Sequence, residues 1–332
     1  MSSLRRARTW FCARRRFQFV ATVAVVTILT GTCGALLMVP NSVLPKLHAA
    51  QSSSIGSLRA AEDDPRLVAV RRTLEPFGQL VTEQVPTGNG QESLVVGHPA
   101  QRTEIDTLAG ELAAATTAVT GVWGPDCAQS AMVVVASNPS EFAALVRSGA
   151  GMPADVAAAS VADPFMPGTQ PTGQRVVFSP DAGRRLDADG LRTLLRHELT
   201  HIATRAETVD GAPQWMLEGF AEFVAHLGTG HHFADIAPTV ATRIRAGDVP
   251  HDLPTAADFA GSGAVAAYEQ AWSVCAFIAD KFDQPRLVEL YHRIAKGVQD
   301  PASEDRIMRD VLGTSRDDLV ADWRAWLLAR AI

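Results

Sequence analysis

The amino-terminal region of this 332-residue chain contains no acidic residue before Glu62. Six arginines occur in the first sixteen positions, and residues 17–39 after them carry no charge. An uncharged, mainly apolar stretch of this length can span a bilayer, and the positive-inside rule keeps the preceding arginines in the cytoplasm. The pattern predicts a cytoplasmic basic tail over 1–16 and a single-pass transmembrane signal anchor over 17–39, with the remainder of the chain extracytoplasmic.

A secretory signal that is removed after export is the alternative for this segment. The apolar region of such a signal is usually about 7 to 15 residues, which is shorter than the stretch seen here and favours the anchor. A signal peptidase could nevertheless cut before Ala50, which would leave a secreted protein. Residues 40–61 are rich in Ser, Ala and Pro and are expected to form a linker.

Basic residues are few beyond the arginine-rich tail. Without those six arginines, 24 of the 30 lysines and arginines remain against 36 aspartates and glutamates, a net charge of −12. Phosphate binding needs clustered Lys and Arg, so this acidic region argues against nucleic acid as a partner. The substrate and the oligomeric state are not indicated by the composition.

Cysteine is scarce as well, with only Cys127 and Cys275 beyond residue 39. An exported compartment permits a disulfide between these two residues. Cys275 falls within an apolar helical run, however, where a buried free thiol is equally expected. The sequence leaves both possibilities open.

A His-Glu-Leu-Thr-His motif is the most informative stretch that is present. Apolar residues recur around it at helical spacing, and Asp187 or Asp189 can cap the start of a helix. Residues four apart share a helix face, so His197 and His201 can bind one Zn²⁺ while Glu198 acts as general base. A chance match containing an ordinary core histidine is the alternative.

A second helix is predicted at residues 213–223, where two glutamates lie one turn apart. Hydrolytic zinc sites typically take three protein ligands, and two histidines with one glutamate are an established set. We therefore expect Glu218 to be the third ligand of one zinc per chain. Glu222 is expected to accept the remaining ring N–H of a ligand histidine, unless it is a solvated helix carboxylate.

Together the two motifs resemble the gluzincin metallopeptidases, the thermolysin-like clan with a glutamate as third zinc ligand. The segment Trp-x-x-Glu-Gly-Phe-Ala-Glu is similar to the second-helix motif of the aminopeptidase and peptidase MA-like branches. The resemblance is specific over residues 197–223 and weaker over the rest of 103–329. Glu218 follows His201 by 17 positions, slightly fewer than is usual in the aminopeptidase branch, which implies a shorter connecting loop.

Tyr268, one of only two tyrosines, lies in a segment similar to the Tyr-Glu-Lys-Gly segment of gluzincin aminopeptidases. The resemblance implies that its hydroxyl supports the oxyanion, and the alternative is a packed helix tyrosine. The Gly-x-Met-Glu-Asn segment of the aminopeptidases is absent, which argues against aminopeptidase action. Four further histidines follow the ligand helix, any of which could assist the oxyanion, although loop histidines are more often solvated: His226, His231, His232 and His251.

The exported part is predicted to contain a small, irregular amino-terminal subdomain over 62–102 and a zinc metallopeptidase domain over 103–329. The predicted order in the latter is helix, strand, helix, two strands and the motif helix, followed by helices only. This matches the α+β, two-lobe fold that the resemblance implies, with a small sheet lobe and a helical lobe. In such folds the sheet edge near the motif helix binds extended peptide backbone.

The sequence therefore predicts a membrane-anchored, zinc-dependent metallopeptidase that hydrolyses peptide or protein substrates outside the cytoplasm. An anchored binding or scaffolding ectodomain that keeps the fold without hydrolysis is the alternative.

Overall fold

The computed structural model describes residues 64–88, 90–127, 130–147, 156–166 and 169–331. The predicted basic tail, transmembrane anchor and linker lie outside these ranges. Within the described ranges, no helix combines the length and apolar character needed to cross a membrane.

The described residues form one mixed five-stranded sheet in the order β1-β2-β3-β5-β4. Neighbouring strands are antiparallel in the pairs β1–β2 and β4–β5 and parallel in the pairs β2–β3 and β3–β5. The outer strands β1 and β4 are therefore the two edges of the sheet. The strands are β1 (Val81–Thr87), β2 (Gln91–Gly97), β3 (Met132–Val135), β4 (Ala158–Val161) and β5 (Arg175–Phe178).

Helices account for most of the remaining described chain. Up to the motif helix they are α1 (Pro65–Leu74), α2 (Arg102–Trp123), α3 (Pro139–Val146), α4 (Ala182–Arg185) and α5 (Ala188–Thr204). After it they are α6 (Gln214–His226), α7 (Phe233–Ile236), α8 (Pro238–Arg245), α9 (Ala264–Phe282), α10 (Gln284–Ile294), α11 (Pro301–Leu312) and α12 (Arg316–Arg330).

Both faces of the sheet are covered by helices. Successive side chains of a strand point to opposite faces, so Val133 and Val135 enter the core shared with α2, α5 and α6. Val134 lies on the other face, in a second core with residues of α1 and α3. This double burial explains why every residue of the short strands β3 and β5 is buried, and why β3 is apolar without alternation.

The predicted order of elements from residue 103 to the motif helix is confirmed, apart from the additional four-residue helix α4. The irregular structure predicted within 62–102 is wrong, because β1 and β2 pair as antiparallel strands and β2 also pairs with β3. Pro86, which counts against a central strand, is tolerated because β1 lies at the sheet edge. Helix α1 also packs into the second core, so this region is part of the sheet layer.

Cys127 and Cys275 are both free thiols. Cys275 is fully buried in α9, and burial raises the pKa of its thiol above the ordinary range. Of the two possibilities that the sequence left open, the structure has the buried thiol and not the disulfide.

Gly219 sets the distance between α6 and α9. A Cβ atom at this position would lie 2.4 Å from the carbonyl oxygen of Ala271 and 3.0 Å from the sulfur of Cys275. Backbone cannot move away as a flexible side chain can, so the two helices approach this closely only when residue 219 is glycine.

We expect Gly219→Ala to destabilise the protein by about 1–3 kcal/mol, because the added methyl overpacks the α6–α9 contact. Thermal unfolding of the full-length chain measures this. Gly110→Ala is the matched control, since Gly110 lies on α2 with no atom near its hypothetical Cβ. That control should gain about 0.5–1 kcal/mol from helix propensity. Equal melting temperatures for the two variants would contradict a close crossing at Gly219.

Candidate metal centre

The motif helix α5 begins and is oriented as the sequence indicates. Asp187 is the N-cap, and its carboxylate accepts the backbone N–H of Gly190 at 2.9 Å. The apolar residues at helical spacing are buried, which orients the opposite positions toward α6. The rings of His197 and His201 consequently meet edge-to-face, with centroids 4.7 Å apart.

The predicted third ligand comes from α6, and all three donor atoms converge. The Nε2 atoms of His197 and His201 are 3.0 Å apart, and Oε2 of Glu218 lies 3.5 Å from each. In the described part of the chain, these residues form one group whose ligand atoms all lie within 4.8 Å of one another. The structure thus brings together the two motifs that the sequence separates by 17 positions.

These residues fit a zinc ion. Oε2 of Glu218 is buried and has no hydrogen-bond partner among the described residues, although both imidazoles are close. Two imidazole nitrogens and one carboxylate oxygen that face a common point are the donor set of hydrolytic zinc sites.

Glu222, which the sequence analysis expects to accept the ring N–H of a ligand histidine, lies close to two imidazoles. Its Oε1 is 3.2 Å from Nδ1 of His197, and its Oε2 is 3.4 Å from Nε2 of His226. Burial would raise the pKa of Glu222, but its contacts with these two imidazoles lower it to about 2. Glu222 is therefore ionised, which makes it an acceptor for the ring N–H of a ligand histidine.

The protonation of His197 depends on its acidic neighbours. Burial alone would lower its pKa, but the carboxylates of Glu218 and Glu222 raise that pKa well above its usual value. Burial would likewise raise the pKa of Glu218, and His201 and His197 lower it.

Glu198, the predicted general base, is 3% exposed and lies beside the ligands. Burial raises its pKa, and the charges of His197 and His201 and a hydrogen bond with Ser160 lower it in part. Ser160 belongs to the edge strand β4. Sequence reasoning did not find this contact, because nothing in a four-residue strand indicates which helix residue it will face.

Tyr268, the candidate oxyanion donor, lies on α9, which packs against α6. It is 1% exposed, and its ring meets Phe259 edge-to-face at a centroid distance of 5.0 Å. The packed ring agrees with the alternative reading, and the catalytic role stays a prediction.

The neighbouring Glu269 caps α8 by accepting the backbone N–H of Val240 at 2.7 Å. Burial raises the pKa of Glu269 to about 7. Its carboxylate thus binds the amino-terminal turn of α8.

The four histidines after the ligand helix differ in burial. His231, His232 and His251 are exposed, as expected for loop residues. His226 is instead the last residue of α6, is 9% exposed and contacts Glu222. Its position four residues after Glu222 is the signal by which the sequence could have identified it.

No protein-family model and no curated protein matches the chain. Solved structures that are similar include a two-domain M1 zinc metallopeptidase variant bound to L-arginine, with 15% identity and a TM-score of 0.45. Aminopeptidase A of Legionella pneumophila in complex with aspartic acid gives 15% and 0.44. The M1 zinc metallopeptidase of Deinococcus radiodurans gives 16% and 0.43.

Each of these similar proteins is longer than the region that matches. The alignments cover 74%, 74% and 77% of this chain but 52%, 28% and 53% of the respective partners. The chain thus spans about half or less of their length. The assignment of the site depends on its own geometry.

Proposed function

We propose that the chain is a membrane-anchored, zinc-dependent metallopeptidase of the gluzincin type, with a thermolysin-like two-lobe catalytic domain outside the cytoplasm. The observation that carries the proposal is the convergence of His197, His201 and Glu218, whose ligand atoms lie within 4.8 Å of one another. Glu198 adjoins this group and supplies the carboxylate that hydrolysis requires.

The residues around the ligands have distinct chemical roles. When bound, Zn²⁺ supplies a Lewis acid that polarises a carbonyl group and makes water more acidic. Glu198 accepts a proton from the attacking water and delivers it to the leaving amine. Glu222 fixes the tautomer of His197, so that Nε2 presents its lone pair to the metal. Tyr268 is assigned to the developing oxyanion.

The edge strand β4 is assigned to the peptide substrate. It is the sheet edge that packs against the motif helix, and its Ser160 contacts Glu198. An extended peptide that pairs with β4 would lie beside the general base, since strand addition uses the free backbone groups of a sheet edge.

The membrane location is supported by the arginine-rich tail and by the uncharged residues 17–39. We expect the mature protein to keep its amino terminus and to fractionate with membranes. Amino-terminal sequencing of the mature protein tests this. A mature chain that starts near Ala50 would make the enzyme a secreted one and would leave the chemistry of the site unchanged.

One zinc ion per chain is expected in the purified full-length protein. His201→Ala and Glu218→Ala should each largely abolish zinc binding, because a three-ligand site loses one donor of three. Elemental analysis measures the metal content. His232→Ala is the matched control, since His232 is exposed, and it should keep the zinc. If Glu218→Ala keeps one zinc per chain, another residue is the third ligand, and Glu222 is the first candidate.

Glu198→Gln separates chemistry from structure, since it keeps the shape of the side chain and removes the base. The variant should keep its zinc and lose about 10²–10⁴-fold in kcat, the usual contribution of general base catalysis. Cleavage of a peptide library with parallel zinc analysis measures both. Glu289→Gln, the same change at an exposed position of α10, should be unaffected.

Unchanged cleavage by zinc-loaded Glu198→Gln would reject Glu198 as the base. A zinc-loaded wild-type protein that cleaves no peptide of the library would instead support the binding or scaffolding ectodomain.

A further inference from the structure

We propose that His226 is a positioning residue of the metal centre, which holds Glu222 against His197 and thereby strengthens zinc binding. This inference rests on the proposed function, because it concerns the affinity of the same site for zinc. His226 touches none of the three ligand side chains in its described polar contacts, so it acts through Glu222.

The first step is the register of α6. Glu218, Glu222 and His226 follow one another at intervals of four residues, so they form a polar stripe on one face of an otherwise apolar helix. All three are buried, with exposures of 3%, 8% and 9%. The stripe faces the motif helix, since its first two members contact His197.

The second step concerns the two oxygens of Glu222. Oε1 lies 3.2 Å from Nδ1 of His197, and Oε2 lies 3.4 Å from Nε2 of His226. One carboxylate thus joins a ligand to a residue outside the ligand set. Without His226, Oε2 of Glu222 would be buried and would lack this partner. A buried carboxylate oxygen without a partner tends to turn toward other donors or toward solvent.

The third step concerns His226 itself. Its Nδ1 is buried and has no hydrogen-bond partner within the described residues, so the imidazole directs its described polar contact to Glu222. The ring lies near the rings of Trp272 and His231, at centroid distances of 6.4 and 6.3 Å. A rigid donor at this place restricts the orientation of the Glu222 carboxylate, and so the orientation of the His197 ring.

The test measures the zinc dissociation constant of the full-length chain by competition with a chelator, which needs no substrate. Partners that orient a metal ligand typically contribute 10- to 100-fold in metal affinity. We expect His226→Leu, which keeps bulk and removes the donor, to weaken zinc binding about 10-fold. His226→Gln places an amide N–H near the position of Nε2 and should stay within about 3-fold of wild type, which is below that range.

His251→Leu is the matched control, because it makes the same change at an exposed histidine outside α6. It should leave the dissociation constant unchanged. Melting temperatures of the metal-free variants show whether each is folded. If His226→Leu binds zinc as tightly as wild type, or if His226→Gln is as weak as His226→Leu, the positioning role is wrong.

A double-mutant cycle with Glu222→Gln covers the case in which His226→Leu weakens binding by disturbing the fold. If His226 acts through Glu222, adding His226→Leu to Glu222→Gln should cost little further affinity. Additive losses would overturn the proposal. A wild-type chain that binds no zinc would reject the proposed function as well, whereas normal zinc binding with an inert His226 would reject this inference alone.

Discussion

Three carboxylates are buried together between α5 and α6, and the rest of the site depends on how their charge is balanced. Glu198, Glu218 and Glu222 are at most 8% exposed. An unpaired buried carboxylate costs several kcal/mol, so this arrangement needs positive charge close by. The carboxylates of Glu218 and Glu222 in turn raise the pKa of His197, against the effect of its burial. Under the proposed function, a zinc ion between the ligands would supply further positive charge at the same point.

Helix α6, which carries Glu218 and Glu222, is packed on several sides, and nearly all of its residues are buried. Water around α6 would screen the electrostatic interactions between these carboxylates and the imidazoles. The close approach of α9 at Gly219 excludes water from one side, and the motif helix closes another. The sheet contributes through Ser160, which reaches Glu198 from the edge strand. Packing and chemistry are therefore coupled at α6.

Local sequence patterns predicted the parts of this site that depend on helix periodicity. The four-residue spacing places His197 with His201 and Glu218 with Glu222, because positions one turn apart share a face in any helix. The prediction that these two helix faces meet rested on the resemblance to a known family. The contact of His226 with Glu222 also follows the four-residue rule.

Features that depend on partners distant in sequence were not predictable in this way. The pairing of β1 with β2 was not predicted, because a proline such as Pro86 counts against a strand unless that strand lies at a sheet edge. Ser160 meets Glu198 through the crossing of β4 and α5, which no short pattern encodes. Cys275 is a buried free thiol of α9, and the local sequence did not decide between this state and a disulfide.

The short connection between α5 and α6 is held by hydrogen bonds to another helix. After α5 the chain passes through a 3-10 turn, and Thr208 then meets the hydroxyl of Tyr291 at 2.9 Å. The backbone N–H of Val209 donates to the carbonyl of Ala295 at 2.8 Å. Both partners belong to α10 and its end, so the helical layer holds the loop. The packing of the helices, and not the loop, therefore determines the distance between His201 and Glu218. A loop held in this way can be short without straining that distance.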